Sequence, residues 1–280
     1  MSEKMKNLAI RSLSGIVLAV VMLGAIVWSP WSYGALFAAL LVAGMLEFYA
    51  LAAERGAAPQ RLLGLTAGLL LFGLGFLFAS ESIRVGDTRP LLCALALLLL
   101  LFPAMFVCEL YRKQENPAAN IGTTIAGLFY VALPCMLVCF FPTFSASGWD
   151  PRITVAYVLI VWANDVFAYL SGMTLGRHKL FERLSPKKSW EGFFGGLAGA
   201  VAAGLGAACW LDASYGAWAG LALVAAVTAV AGDLAESMFK RAAGVKDSGA
   251  LIPGHGGALD RFDAMLLSAP FVFVYMIFVL

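Results

Sequence analysis

The chain has 280 residues, 61% hydrophobic and 13% charged, with a formal net charge of +2 and a mean hydropathy of +0.87. A soluble globular domain carries about 25% charged residues, so the balance excludes one and describes an integral membrane protein. The five cysteines, Cys93, Cys108, Cys135, Cys139 and Cys209, all fall in apolar runs without a CxxC pair, which argues against a disulfide framework or a zinc site. The small net charge gives no reason to expect a nucleic-acid partner.

The few charges are unevenly placed, leaving apolar runs of roughly 17 to 23 residues, the length that crosses a hydrocarbon core about 30 Å thick. In chain order they predict spans at 12–28, 33–53, 62–79, 91–110, 121–141, 153–175, 192–210, 216–236 and 261–280. Each is expected to be helical, because a lone strand would leave its backbone polar groups unpaired in lipid. The expected fold is therefore all-α: a polytopic protein of about nine transmembrane helices in one domain, with N-terminal helices over 12–141 and the chemistry-bearing helices and loops over 153–280. Lys4, Lys6 and Arg11 precede the first run, as in a signal peptide. No small-x-small cleavage site follows it, and Trp28-Ser29-Pro30-Trp31 reads as an interfacial turn.

With nine spans, the N-terminus and the loops after spans 2, 4, 6 and 8 share one side and hold 16 of the 19 Lys and Arg residues; only Arg84, Arg89 and Arg152 lie opposite. The positive-inside rule makes the crowded side cytoplasmic. Trp28, Trp31, Tyr33, Trp149, Trp210, Tyr215 and Trp218 fall near the other span ends, where aromatic rings suit the headgroup level.

Three polar segments interrupt the apolar pattern. In "WANDVFAYLSG", Asn164 and Asp165 sit 11 or 12 residues into span 6, close to mid-bilayer. A carboxylate at that depth needs water, a cation or a partner, so it either bridges two helices or lines a polar cavity. Glu47, nearer the cytoplasmic end of span 2, reads first as structural. The loop "GRHKLFERLSPKKSWEG" is either a positive-inside anchor or an anion site, in which Lys187, Lys188 and Ser189 converge at the start of span 7.

The third segment runs from the end of span 8 into "KDSGALIPGHGGALDRFD". Asp233, Glu236 and Ser237 have i, i+3, i+4 spacing and share a helix face, and Asp260 and Asp263 share another at the start of span 9. Hard divalent cations such as Mg²⁺ favour a few carboxylates completed by water and phosphate oxygens. Lys240, Arg241, Lys246 and Arg261 are candidates for holding phosphates. Pro253, Gly254, Gly256 and Gly257 make a turn that allows close approach of backbone to a ligand. His255 is read as a phosphate or backbone partner, with proton transfer the less favoured role.

Ser237-x-x-Lys240-Arg241-x-x-x-x-Lys246-Asp247 followed by Pro253-Gly254-His255-Gly256-Gly257-x-x-Asp260-Arg261-x-Asp263 resembles the signature of the CDP-diacylglycerol synthases, or phosphatidate cytidylyltransferases. "SPKKSWEG" and "NDVFAYLSG" resemble further segments of that family, so the likeness covers about 160–265. Two positions depart from it: Ala258 replaces a bulkier apolar residue, and Ser189 stands where Thr is common. The resemblance implies an enzyme that joins CTP and phosphatidic acid to give CDP-diacylglycerol and pyrophosphate. It implies Mg²⁺ as cofactor, with a second cation left open.

On that reading Asp233, Asp260 and Asp263 bind metal, with Lys246 beside them in catalysis. Lys187, Lys188, Ser189, Lys240, Arg241, His255, Gly256, Gly257 and Arg261 contact substrate, and Asn164 and Asp165 form the polar floor. It places the protein in a bacterial-type inner membrane with a cytoplasmic N-terminus and active site, and leaves a homodimer open. The rival readings are a CTP-dependent lipid-alcohol kinase and an ion-coupled transporter using Asp165.

Overall fold

Several apolar runs begin at residues suited to capping, and the helices start there. Ser29, Asn116 and Asp150 each accept a backbone N–H with the side chain, and each is followed by proline at the first helical position. Proline suits that position because its missing N–H would have had no helical partner. Ser189 caps another helix through Gly192 N–H at 3.1 Å.

The computed structural model describes residues 3–82, 88–146, 148–249 and 256–280. Pro253, Gly254, His255 and Arg84 lie outside them, as do the side chains of Lys4, Lys6, Arg11 and Arg89. The helices are α1 Glu3–Trp28, α2 Pro30–Ala53, α3 Arg61–Ala79, α4 Thr88–Arg112, α5 Pro117–Gly127, α6 Leu133–Val138, α7 Pro151–Leu175, α8 Trp190–Leu211, α9 Tyr215–Ala242 and α10 Leu259–Val279. A π-helical turn, Leu128–Ala132, joins α5 to α6, so that Pro117–Val138 forms one span.

Eight of the described helical segments are long and apolar enough to cross a membrane, and Ser14–Trp28 is a shorter apolar stretch at the first predicted run. Leu95, Leu99, Phe102, Phe106 and Leu110 on α4 are exposed, as lipid-facing side chains are. The protein is an all-α integral membrane protein with one small addition. β1 Lys179–Phe181 pairs antiparallel with β2 Ser185–Ser189 in the α7–α8 loop.

The chain forms two compact units, Met1–Phe140 with Ala242–Arg261 and Phe141–Arg241 with Phe262–Leu280. In the first, Tyr33, Phe37, Leu41, Met45 and Phe48 make a buried stripe at helical spacing along α2. Buried phenols anchor it: Tyr33 donates to Val138 O at 2.7 Å and Tyr49 to Thr124 O at 2.9 Å. Glu109 of α4 accepts from Gln60 and Asn120, each at 2.6 Å, and from Arg112 at 2.9 Å, so this buried carboxylate has a full set of donors.

In the second unit α7 and α8 run closely together because α8 presents glycines to its neighbour. A Cβ at Gly196 would lie 2.7 Å from Asn164 Oδ1 and 2.8 Å from Asn164 O, and one at Gly192 2.9 Å from Ala168 O. Small residues at this seam let backbones approach where larger ones would hold them apart. Gly232 does the same for α9 and α10, since a Cβ there would lie 2.5 Å from Asp263 O and 3.1 Å from Ala264 Cα. Tyr157 of α7 donates to Met265 O of α10 at 2.9 Å.

Candidate active site

The predicted end of span 8 falls at residue 236, but α9 continues to Ala242, ahead of Gly244 at φ +74°. Asp233, Glu236 and Lys240 therefore lie on one unbroken helix face, one turn apart. Gly232 brings this face to α10, and a carboxylate oxygen from each of Asp233, Glu236 and Asp263 lies within 4.8 Å of the others. Glu236 and Asp263 are buried, at 1% and 8% exposure.

Like charges this close raise one another's energy unless a cation lies among them. Two ammonium groups do part of this work. Lys188 Nζ lies 2.6 Å from Asp233 Oδ2, and Lys240 pairs with Glu236. Three carboxylate oxygens are the donor set that a hard divalent cation takes, with water or phosphate oxygens completing its shell.

Beside the cluster is a cavity of about 440 Å³ that shares Asp233 with it. Asn164 and Asp165 of α7 line it, with Lys187, Lys188 and Ser189 of the hairpin. Tyr169, Met173 and Phe193 give it an apolar side. The hairpin is held in place by Glu191, which accepts from Arg177 N–H at 3.0 Å and His178 N–H at 3.2 Å and lies 2.6 Å from His178 Nδ1. Trp190 N–H closes it on His178 O at 2.9 Å. A basic loop thus becomes a fixed wall that turns two lysines to the rim of the cavity.

The predicted residues of the other unit are arranged differently. Asp260 Oδ2 accepts from Ser248 N–H at 2.9 Å and Gly257 N–H at 2.8 Å, which ties the ends of the 246–260 loop together. Gly256 has φ +86°, a backbone conformation that glycine tolerates. Lys246, Asp247 and Arg261 are exposed, and Arg241 of the second unit is exposed as well. Among the described residues Glu236 joins Asp233 and Asp263 in the cluster, a member that the sequence reading did not assign to metal. Its i, i+3 spacing from Asp233 was the available signal.

A multi-span helical protein with an acidic cluster beside a lysine-lined cavity is built to handle phosphorylated substrates at a membrane. The sequence profile of the cytidylyltransferase family matches residues 9–279. A phosphatidate cytidylyltransferase of Brucella abortus is 34% identical over 97% of this chain and 94% of its own length. One of Synechocystis sp. is 32% identical over 97% and 96%. One of Staphylococcus aureus is 44% identical over a shorter stretch, 42% of this chain and 46% of its own. The chain belongs to the cytidylyltransferase family, and it is a nucleotidyltransferase.

Proposed function

We propose that this membrane enzyme transfers the cytidylyl group of CTP to phosphatidic acid, giving CDP-diacylglycerol and pyrophosphate. The observation that carries the reading is the cavity in which Lys187, Lys188, Asn164 and Asp165 meet Asp233 of the acidic cluster. A phosphate oxygen of phosphatidate attacks the α-phosphorus of CTP, a new P–O bond forms, and the bond to the β-phosphate oxygen breaks. The phosphatidate phosphate is already ionised near neutral pH, so no general base is required. What the reaction asks of the protein is alignment of two polyanions and compensation of charge on the leaving pyrophosphate.

Lys187 and Lys188 serve these anions from the hairpin, and Ser189 orders the turn by capping α8. Lys240 and Arg241 on α9 are further cations for the phosphates, while Lys246 and Arg261 are exposed cations of the signature loop. Asp233, Glu236 and Asp263 are the residues that would hold Mg²⁺, which when bound neutralises phosphate charge. Asn164 and Asp165 form the polar floor, and Tyr169, Met173 and Phe193 face the lipid part of the substrate. The protein sits in the inner membrane with its N-terminus, hairpin and acidic cluster on the cytoplasmic side, where CTP is available.

The test is purified protein with phosphatidate, Mg²⁺ and CTP labelled at the α- or γ-phosphorus. Label from α-phosphorus in lipid, and γ-label in pyrophosphate, is the expected result. Label from γ-phosphorus in lipid would establish a kinase in its place.

A further inference from the structure

Glu47 lies in α2, seven residues before the charged pair Glu54-Arg55 that follows the helix, and the reaction as derived above gives it no part. Its carboxylate nonetheless accepts hydrogen bonds from Ser248, Ala258 and Leu259, at both ends of the signature loop. Oε1 accepts from Ala258 N–H at 2.8 Å, and Oε2 from Leu259 N–H at 2.9 Å and Ser248 Oγ at 2.9 Å. Leu259 is the first residue of α10. Glu47 therefore caps that helix from another helix more than 200 residues away in sequence, placing a carboxylate where helix N–H groups otherwise lack partners.

The loop is shaped to receive it. A Cβ at Gly249 would lie 2.7 Å from Glu47 Oε1, and one at Gly257 would collide with Glu47 Oε2 and Ser248 Oγ. Ser248 joins the carboxylates of Glu47 and Asp260, since its hydroxyl goes to Glu47 and its N–H to Asp260. The segment so fastened carries Lys246, Asp260 and Arg261, and α10 carries Asp263 one turn beyond its start.

We propose that Glu47 is a positioning residue for cytidylyl transfer: it fastens both ends of the signature loop to α2 and fixes where α10 begins. This rests on the reading given under Proposed function. Removing it leaves the cations and carboxylates present but their loop free to shift, which lowers turnover by more than it lowers stability.

The experiment compares full-length parent, Glu47→Gln, Glu47→Ala and Ser248→Ala in mixed micelles of detergent and phosphatidate. It measures kcat and KM for CTP by pyrophosphate release, thermal stability, and amide hydrogen exchange at 256–262. Gln keeps the size of Glu but sets an NH₂ group against donors. Glu47→Gln is expected to lose 10- to 100-fold in kcat well below its melting temperature, with Ala258 and Leu259 amides exchanging at least tenfold faster. Ser248→Ala is expected to lose less, and its effect is not additive with that of Glu47→Gln in the double variant.

Should Glu47→Ala fail to fold, the isosteric Gln variant and Ser248→Ala carry the test. Glu47→Gln with kcat and KM within twofold of the parent, even with a lowered melting temperature, overturns the proposal. A parent that makes no pyrophosphate from CTP and phosphatidate overturns the functional reading and this proposal with it.

Discussion

Glu47 and Asp260, in the first unit, meet backbone N–H groups and a hydroxyl, whereas Asp233, Glu236 and Asp263, in the second, meet one another and two lysine ammonium groups. Both sets sit in an oily chain that has few charges to place. A carboxylate surrounded by N–H donors is stabilised where it stands and orders the backbone around it. Carboxylates turned toward each other are destabilised until positive charge arrives. The first arrangement orders a loop, and the second is the one that, on the function proposed above, would hold a cation.

This contrast orders the expected effects of substitution. Asp263→Asn should lower kcat about 10³-fold or more, near 4 kcal/mol of transition-state stabilisation, and raise the Mg²⁺ needed for half-maximal activity. Chelation of the parent should abolish turnover and added Mg²⁺ restore it. Lys188→Ala removes a charge-assisted contact that is commonly worth about 1.5–3 kcal/mol, so kcat/KM for CTP should fall roughly 10- to 100-fold in steady-state assays. Asp260→Asn should fall less, about tenfold, with the larger change in amide exchange at Ser248 and Gly257; a loss equal to that of Asp263→Asn, with a matching shift in Mg²⁺ dependence, would break the contrast between the two sets.

The smallest effect concerns Asp150, a carboxylate that belongs to neither set. Arg152 holds the Asp150 carboxyl below its usual range through hydrogen bonds of 2.7 to 3.0 Å. A lowered folded-state pKa means that the contribution is present above the unfolded pKa and lost as pH falls through the folded one. Melting curves of parent and Arg152→Gln should therefore differ slightly near neutral pH and converge only in acid, as pH falls through and below the ordinary aspartate range.

Much of the helical pattern was legible because lipid demands long apolar runs, and capping residues such as Ser29 and Asp150 announce their own starts. The interruption of the fifth run by a π-helical turn was not, since nothing in Leu128–Ala132 marks it apart from its apolar neighbours. Nor was the hairpin at Lys179–Ser189, which depends on Glu191 reaching back to Arg177 and His178. In the site, Lys187, Lys188, Asn164, Asp165 and Asp233 could be named from their types and placement. That Glu236 joins Asp233 and Asp263 required knowing how α9 faces α10, which Gly232 decides and which spacing along the chain does not show. Glu47 read as structural because its partners lie about 200 residues away.

The close seam between α7 and α8 has a bearing on how this chain tolerates change. Where Gly192 and Gly196 meet Ala168 and Asn164, a main-chain oxygen lies within 2.9 Å of any added Cβ, so the swing of a side chain alone cannot absorb a substitution. A saturation scan of α8 should return two opposed stripes. Along one, even alanine disturbs the placement of Asn164; along the other, where Phe194 and Leu205 are exposed, almost any apolar residue serves.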